Sequence, residues 1–380
     1  MINKARLIAL TQKVIQFDSQ NPPGKEAALA RFIKKDLESL GLKVQSYSFQ
    51  KNRPNIVGTL RGNLPRRRAA REAVLITPHI DTVPLGRGWR FDPLGGKIHQ
   101  GKIYGRGASD DKGNLACSLE VIRSLVEDKV FLRKDIILAA TVDEETGSHF
   151  GILPLLARGI LRPQAALILD SDAFDLIIAQ KGLIHCRVQI FGKKAHAAYH
   201  WLGTNAIEQA AEIIQRLKQR QFPYKRHPLL RGPTKNIGTI QGGDKVNMVA
   251  DFCEFALDLR YLPGMDSQKV LREVKGIIRQ ATSKFRIVID DLQHPYEIDR
   301  HHPFVETYLH TARKMGYSAS LKGSEGATVM TFFKKYGIPA FAAGCASRGT
   351  AHTTDEYVSI ENLYRGAKLL EVFLKEYDQK

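Results

Sequence analysis

The sequence predicts an α/β chain in which a domain of α/β/α layers is interrupted by a ferredoxin-like α+β domain. Three observations carry this. The chain has 380 residues, and single cores stop growing at roughly 250–300 residues, so two domains are expected. Apolar strand-like runs, among them AVLIT (73–77), DIILAATV (135–142) and AALILD (165–170), alternate with helical stretches. That is the pattern of a largely parallel sheet covered on both faces. Between 184 and 293 the order changes to β-α-β-β-α-β, the split βαβ unit. The domains are accordingly 1–183 with 294–380, and 184–293 inserted between them.

In the first domain, residues 3–17 read as a helix stopped by Asn21-Pro22-Pro23-Gly24, and 25–40 as a second helix ending at Gly41. Strands follow at 43–49, 55–60 and 73–78, then a loop rich in Gly and Pro from 82 to 107. A helix (112–127), a strand (135–142), a helix (148–158) and a strand (165–170) complete the first half. The inserted part reads as LIHCRVQIFG, a helix at 204–220, a strand near 236–240, ADFCEFALDLRY, a helix at 266–282 and FRIVIDD. After Pro295 come a helix, the strand PAFAAG, a loop with His352 and a C-terminal helix.

Hydrophobic content of 43% and charged content of 25% are ordinary for a folded chain. The formal net charge of +18 admits nucleic acid, an acidic surface, an anionic substrate or solubility alone. Its densest run, Arg66-Arg67-Arg68 with Arg71, reads as a hairpin tip. No aromatic-interleaved basic stripe accompanies it, which argues against a nucleic-acid partner. Cys117, Cys186, Cys253 and Cys345 lie far apart without a C-x-x-C pair, so neither a thiolate zinc site nor a disulfide framework is indicated, and a reducing compartment follows. LIALTQKVIQF near the N-terminus is spaced as an amphipathic helix, not as a signal core. No apolar run approaches the roughly 20 residues of a membrane span. The expectation is a cytoplasmic protein with no membrane partner.

Five segments place acids or imidazoles where strands end: HIDTVP (79–84), GRGASDDKG (105–113), TVDEETG (141–147), ILDSD (168–172) and AHTTDEY (351–357). Together they read as a hydrolytic site for two divalent ions, which needs about five or six N and O ligands from distant parts of the chain. His79, Asp110, Glu145, Asp170 and His352 supply two imidazoles and three carboxylates. Glu144 is then left beside a ligand to handle a proton. Residues i and i+2 of an extended segment share a side, so Asp81 is placed to hold the second nitrogen of His79. Locally Asp110 serves equally well as a helix N-cap, and Asp111 is its rival as ligand. His196 falls in the inserted domain, where the bland reading is a satisfied loop histidine. Arg260 ends a strand, where it either clamps a substrate carboxylate or pairs with Asp258.

With these motifs in place, the whole chain resembles the M20 family of metallopeptidases and amidohydrolases, which includes deacetylases, desuccinylases and carboxypeptidases. The resemblance implies a zinc-peptidase-like catalytic domain carrying an inserted lid and dimerisation domain. Position by position, it implies that His79 and Asp170 bind one zinc, Glu145 and His352 the other and Asp110 both, with cobalt able to substitute. Glu144 becomes the general base acting on a metal-bound water, Asp81 the support of His79, and the Asp110–Asp111 peptide cis. It also implies that His196 stabilises the oxyanion from a partner subunit of a homodimer. Asn247, Arg260 and Glu325 are the candidate substrate contacts. Two departures stand out. Asp170-Ser171-Asp172 replaces Glu-Pro-Thr, with Asp170 aligned by its distance to Lys181-Gly182 and Asp172 the alternative. Gly323-Ser324-Glu325-Gly326 replaces a Gly-Thr-Asp segment. The first expectation is hydrolysis of N-acyl amino acids, and the alternative a dipeptidase or carboxypeptidase acting on short peptides.

Overall fold

The computed structural model describes residues 1–64 and 72–380, so the hairpin tip expected at Arg66–Arg68 and Arg71 lies outside the described residues. Contacts divide the chain into two compact units, 1–178 with 298–322 and 332–380, and 179–297 with 323–331.

In chain order the first unit supplies α1 (Lys4–Ile15), α2 (Ala27–Ser39), β1 (Lys43–Gln50), β2 (Arg53–Leu60), β3 (Ala73–Thr77), β4 (Lys97–His99), β5 (Lys102–Tyr104), α3 (Lys112–Glu127), β6 (Asp135–Ala140), α4 (Ile152–Ala157) and β7 (Ala165–Ala173). Through β8 (Leu176–Gln180) the chain enters the second unit, with β9 (Gly182–Phe191), α5 (Ala206–Gln219), β10 (Thr234–Gly242), β11 (Phe252–Tyr261), α6 (Ser267–Arg279), β12 (Phe285–Gln293) and β13 (Tyr296–Glu297). It ends with α7 (Pro303–Lys314), β14 (Leu321–Ser324), α8 (Met330–Lys334), β15 (Ala340–Gly344), β16 (Tyr357–Ser359) and α9 (Ile360–Tyr377).

The first unit is built on a mixed sheet in which β1, β2, β6, β3, β7 and β15 lie side by side. The pairs β3–β6, β3–β7 and β7–β15 are parallel, whereas β1–β2 and β2–β6 are antiparallel. Every residue of β3 is buried, as a strand covered on both faces must be. The helix α3 packs against α1 and α9 and buries most of its circumference. Beneath α9, Phe304 of α7 sits with its ring 4.7 Å from Phe341 and Tyr377 and 5.3 Å from Phe373.

The second unit is a four-stranded antiparallel sheet in the order β10-β11-β9-β12. Its core joins Ile184, Val188 and Phe255 of the strands to Ile213 of α5 and Val274 of α6. This unit is wider than 184–293. It begins at 179, runs to 297 and takes back 323–331, because its margins are short strands and turns without a compositional break.

Three local readings are corrected. The expected loop at 82–107 contains the hairpin β4–β5, which pairs with β16; three-residue strands are too short to show a period. The helix expected at 148–158 shrinks to α4, because Gly147 and Ser148 take positive φ (105° and 62°) after one 3-10 turn at Glu144–Thr146. The helix expected directly after Pro295 is preceded by β13 and starts only at Pro303. Among the described residues no helix is long and apolar enough to cross a membrane.

Phe304 is fully buried. Phe304→Ala is therefore expected to destabilise the first unit by about 3–5 kcal/mol, read from its denaturant midpoint. A loss below about 1 kcal/mol would show that the aromatic cluster is not a core element.

Candidate metal centre

The ligand candidates of the first unit leave the sheet at neighbouring strand ends, where open α/β sheets place their sites. His79 follows β3, and the ladder continues past Pro78 as Ile80 N–H donates to Thr141 O (2.8 Å). Glu144 and Glu145 follow β6 through Asp143, a left-handed residue at φ 69°. Asp170 lies within β7 as drawn. However, the register with β15 jumps from Leu169–Ala343 to Ala173–Gly344, with Asp172 bridged to Ala346 instead, so the ladder is irregular at Asp170. His352 sits in the loop before β16, also at positive φ (62°).

Asp110 is presented by a tight loop. Gly107 has φ +85°, and a Cβ on Gly113 would meet Ala108 O at 2.3 Å. The Asp110–Asp111 peptide is cis, as the resemblance implied. The two Asp110 oxygens face different histidines. Oδ1 lies 2.8 Å from His79 Nε2 and Oδ2 lies 3.0 Å from His352 Nε2. Glu145 Oε2 is 3.1 Å from the same His352 nitrogen. Donor atoms of His79, Asp110 and Glu145 all fall within 4.8 Å of one another.

These spacings fit a metal. Ligands about 2.0–2.2 Å from one tetrahedral ion stand about 3.3–3.6 Å apart, a few tenths of an ångström wider than the 2.8–3.1 Å separations seen. The donor set of imidazole and carboxylate suits zinc or a similar dication.

The titration behaviour shows how much charge is crowded here. Burial, with repulsion from Asp110, pushes Asp170 up to about 6. Burial also drives Glu144 well above the usual carboxylate range, with the neighbouring Asp170 and Glu145 adding to it. Hydrogen bonds to Asp110 and Glu145 raise His352 to about 10. Burial opposes an imidazolium at His79, but the Asp110 and Asp81 carboxylates outweigh it and raise its pKa. Asp110 is held below its ordinary value, since the two histidines overcome its burial. Dications among these groups would keep the acids ionised and remove the extra protons from both imidazoles.

The supporting groups are partly those expected. His79 Nδ1 lies 3.1 Å from the backbone oxygen of Asp81 and 3.5 Å from its carboxylate, so the main chain is the nearer partner. The Asp81 carboxylate instead accepts the N–H groups of Glu144 and Glu145, each at 3.1 Å. It thereby sets the turn that carries Glu144 and Glu145. Asn21, not foreseen, donates to Asp81 Oδ2 (2.8 Å). Arg53, also unforeseen, bonds Asp143 at 2.7 Å. The rival ligand Asp111 is fully buried and spent elsewhere: Oδ2 accepts His79 N–H (3.0 Å) and Oδ1 accepts Asn114 Nδ2 (2.6 Å). Asp172 turns to Arg348 (3.5 Å).

The remaining candidates lie in the second unit. His196 caps a 3-10 turn (Ala197–Leu202) where a loop was expected, its Nδ1 accepting Ala198 N–H (3.1 Å). Asn247 is its neighbour, its backbone oxygen accepting Ala197 N–H at 3.0 Å. Arg260 is not a free clamp. Its Nε and Nη2 donate to the two Asp258 oxygens at 2.8 and 2.9 Å, because the i+2 acid on the same strand face is always within reach. Glu325 pairs with the buried Lys181 (2.5 Å) and accepts Arg231 N–H (2.9 Å).

Fold and site together define a metal-dependent hydrolase acting on amide bonds. The chain belongs to the peptidase family M20/M25/M40, whose model matches residues 75–376. Among solved structures it is similar over its full length to the aminopeptidase PepT of Bacillus cereus (TM-score 0.84, 25% identity, both chains covered completely). It is also similar to a tripeptidase of Staphylococcus aureus (0.83, 24%, both chains covered completely). A metallo-carboxypeptidase of Sulfolobus solfataricus gives 0.81 at 21% identity, covering 98% of this chain and 99% of the other.

Glu144→Ala is expected to cut turnover by about 10²–10⁴-fold with metal retained, while Glu145→Ala loses metal. Metal analysis and kinetics on both variants check this, and the reverse outcome would exchange the two roles.

Proposed function

We propose that the protein is a two-metal hydrolase of short peptides with Glu144 as general base. The observation that carries this is the placing of one Asp110 oxygen on each histidine, the disposition of a carboxylate shared by two cations. In this reading His79 and Asp170 hold one zinc, Glu145 and His352 the other, and Asp110 both. When bound, the ions supply Lewis acidity toward the scissile carbonyl and make a neighbouring water acidic near neutral pH. Glu144 takes the proton of the attacking water and returns it to the leaving nitrogen. Its backbone is held by Asp81, so the carboxylate has a fixed origin.

Short peptides are favoured as substrates by the aminopeptidase and tripeptidase among the similar structures. N-acyl amino acids are the second reading. A net charge of +18 suits a substrate that is anionic and lacks a free ammonium. His196 is the proposed oxyanion donor, with Asn247 beside it. Arg260 and Glu325 take part only where substrate displaces Asp258 and Lys181. A homodimer through the second unit is supported by its exposed Tyr199, Trp201, Leu202 and Val246 and by β10 at the sheet edge. Four free cysteines support a reducing, cytoplasmic setting.

Assays of the zinc and cobalt forms against di- and tripeptides and against N-acetyl and N-succinyl amino acids decide the substrate class. The expected result is kcat/KM at least about tenfold higher for peptides, a difference of about 1.4 kcal/mol in transition-state stabilisation. A preference for N-acyl amino acids would replace the first reading by the second. Mixing Glu144→Ala with His196→Ala chains tests the partner role of the histidine. Recovery of activity on subunit exchange is expected, and none despite exchange would place His196 outside the partner's site.

A further inference from the structure

We propose that Glu356, together with Arg106, is a positioning group that locks the ligand-bearing loops and thereby sets the affinity of the two-ion site; this rests on the two-metal reading above. Glu356 is completely buried and touches no candidate ligand through a side chain. Its carboxylate is surrounded by donors. Oε1 accepts the N–H groups of Ser109 (2.9 Å) and Asp110 (3.0 Å). Oε2 accepts Gly107 N–H (3.1 Å) and Arg106 Nη1 (2.8 Å). One side chain thus binds three peptide N–H groups of the bend that leads up to Asp110, including that of Asp110 itself. Its backbone oxygen also accepts Gly105 N–H (2.9 Å), so the whole loop from 105 to 110 hangs on residue 356.

Arg106 extends this hold to the other ligand segments. The Nη1 that serves Glu356 also reaches Thr353 O (3.2 Å), one residue after His352, and Nη2 reaches Leu85 O (3.3 Å) in the segment leaving His79. The guanidinium lies over Trp89 at 5.1 Å and is itself buried. A second tie runs through Ser109, whose Oγ donates to Tyr357 O (2.7 Å) and accepts Ser347 N–H (3.0 Å). The segments carrying His79, Asp110 and His352 are therefore joined by a single buried ion pair and its hydrogen bonds.

Such a hold is what a bridging carboxylate needs. Asp110 must keep one oxygen on each side, and the acids around it repel one another until cations are present. A loop free to recoil would lose the bridging geometry first. Groups that orient metal ligands typically account for about 10–100-fold in metal affinity. An amide cannot replace Glu356, since its NH2 would face N–H donors at a site with no acceptor to receive it.

The test is a zinc titration of metal-free protein against a competing chelator, wild type beside Glu356→Gln, with the apo-protein melting curve and the cobalt absorption spectrum recorded for each. Wild type taking up two ions upholds the two-metal reading, and wild type saturating at one overturns that reading on its own. For Glu356→Gln the expected result is binding of at least one ion weakened about 10–100-fold, an altered cobalt spectrum, and kcat recovering at excess zinc with KM unchanged. Dissociation constants within about threefold of wild type, with only the apo-protein melting lower, would overturn the proposal and leave Glu356 as a fold element. Should Glu356→Gln not fold, Arg106→Lys carries the same decision, because an ammonium cannot span Glu356, Thr353 and Leu85 as the planar fork does.

Discussion

Mutual repulsion among crowded, half-buried acids is the constraint around which the site of the first unit is arranged. Asp110, Glu144, Glu145 and Asp170 converge near the ends of β3, β6 and β7, with His79 and His352 offsetting part of their charge. Charges in such a place are tolerated only when paired or bound to a cation. The supporting carboxylates consistently accept backbone N–H groups of the segments that carry the site. Asp81 takes the amides of Glu144 and Glu145, Asp111 takes that of His79, and Glu356 takes those of the Asp110 loop. Asp81, Asp111 and Glu356 thus each hold the backbone of a residue whose side chain faces the cluster.

That arrangement explains what could be read from the chain. His79, Asp110, Glu145 and His352 were legible because metal chemistry restricts residue type and strand ends restrict position. The strands of the second unit were legible because alternation survives in β9 and β11, each of which buries one face. The supporting residues were hidden for a physical reason. Asn21, Arg53, Arg106 and Glu356 act through hydrogen bonds to segments remote in sequence, and no local spacing announces such a pairing. Glu356 stood inside AHTTDEY, four residues after His352, with no spacing of its own to mark it. Asp170 and Asp172 could not be separated from the sequence, since residues two apart share a strand face; in the structure Asp172 is the one that turns to Arg348.

The reaction class and the substrate class are recorded with unequal clarity because they are held by different kinds of residue. The chemistry lies in groups whose partners are fixed within one unit. The substrate candidates are exposed or already engaged: Arg260 with Asp258 and Glu325 with Lys181. A guanidinium satisfied within its own strand gives no specificity until a ligand competes for it.

The central claim is that the Asp110 carboxylate is shared between two ions. Anomalous diffraction from crystals grown with zinc measures this directly. Two peaks about 3.5–4 Å apart, one beside His79 and one beside His352 with the Asp110 oxygens between them, are predicted. A single peak, or a pair that does not flank Asp110, would contradict the account.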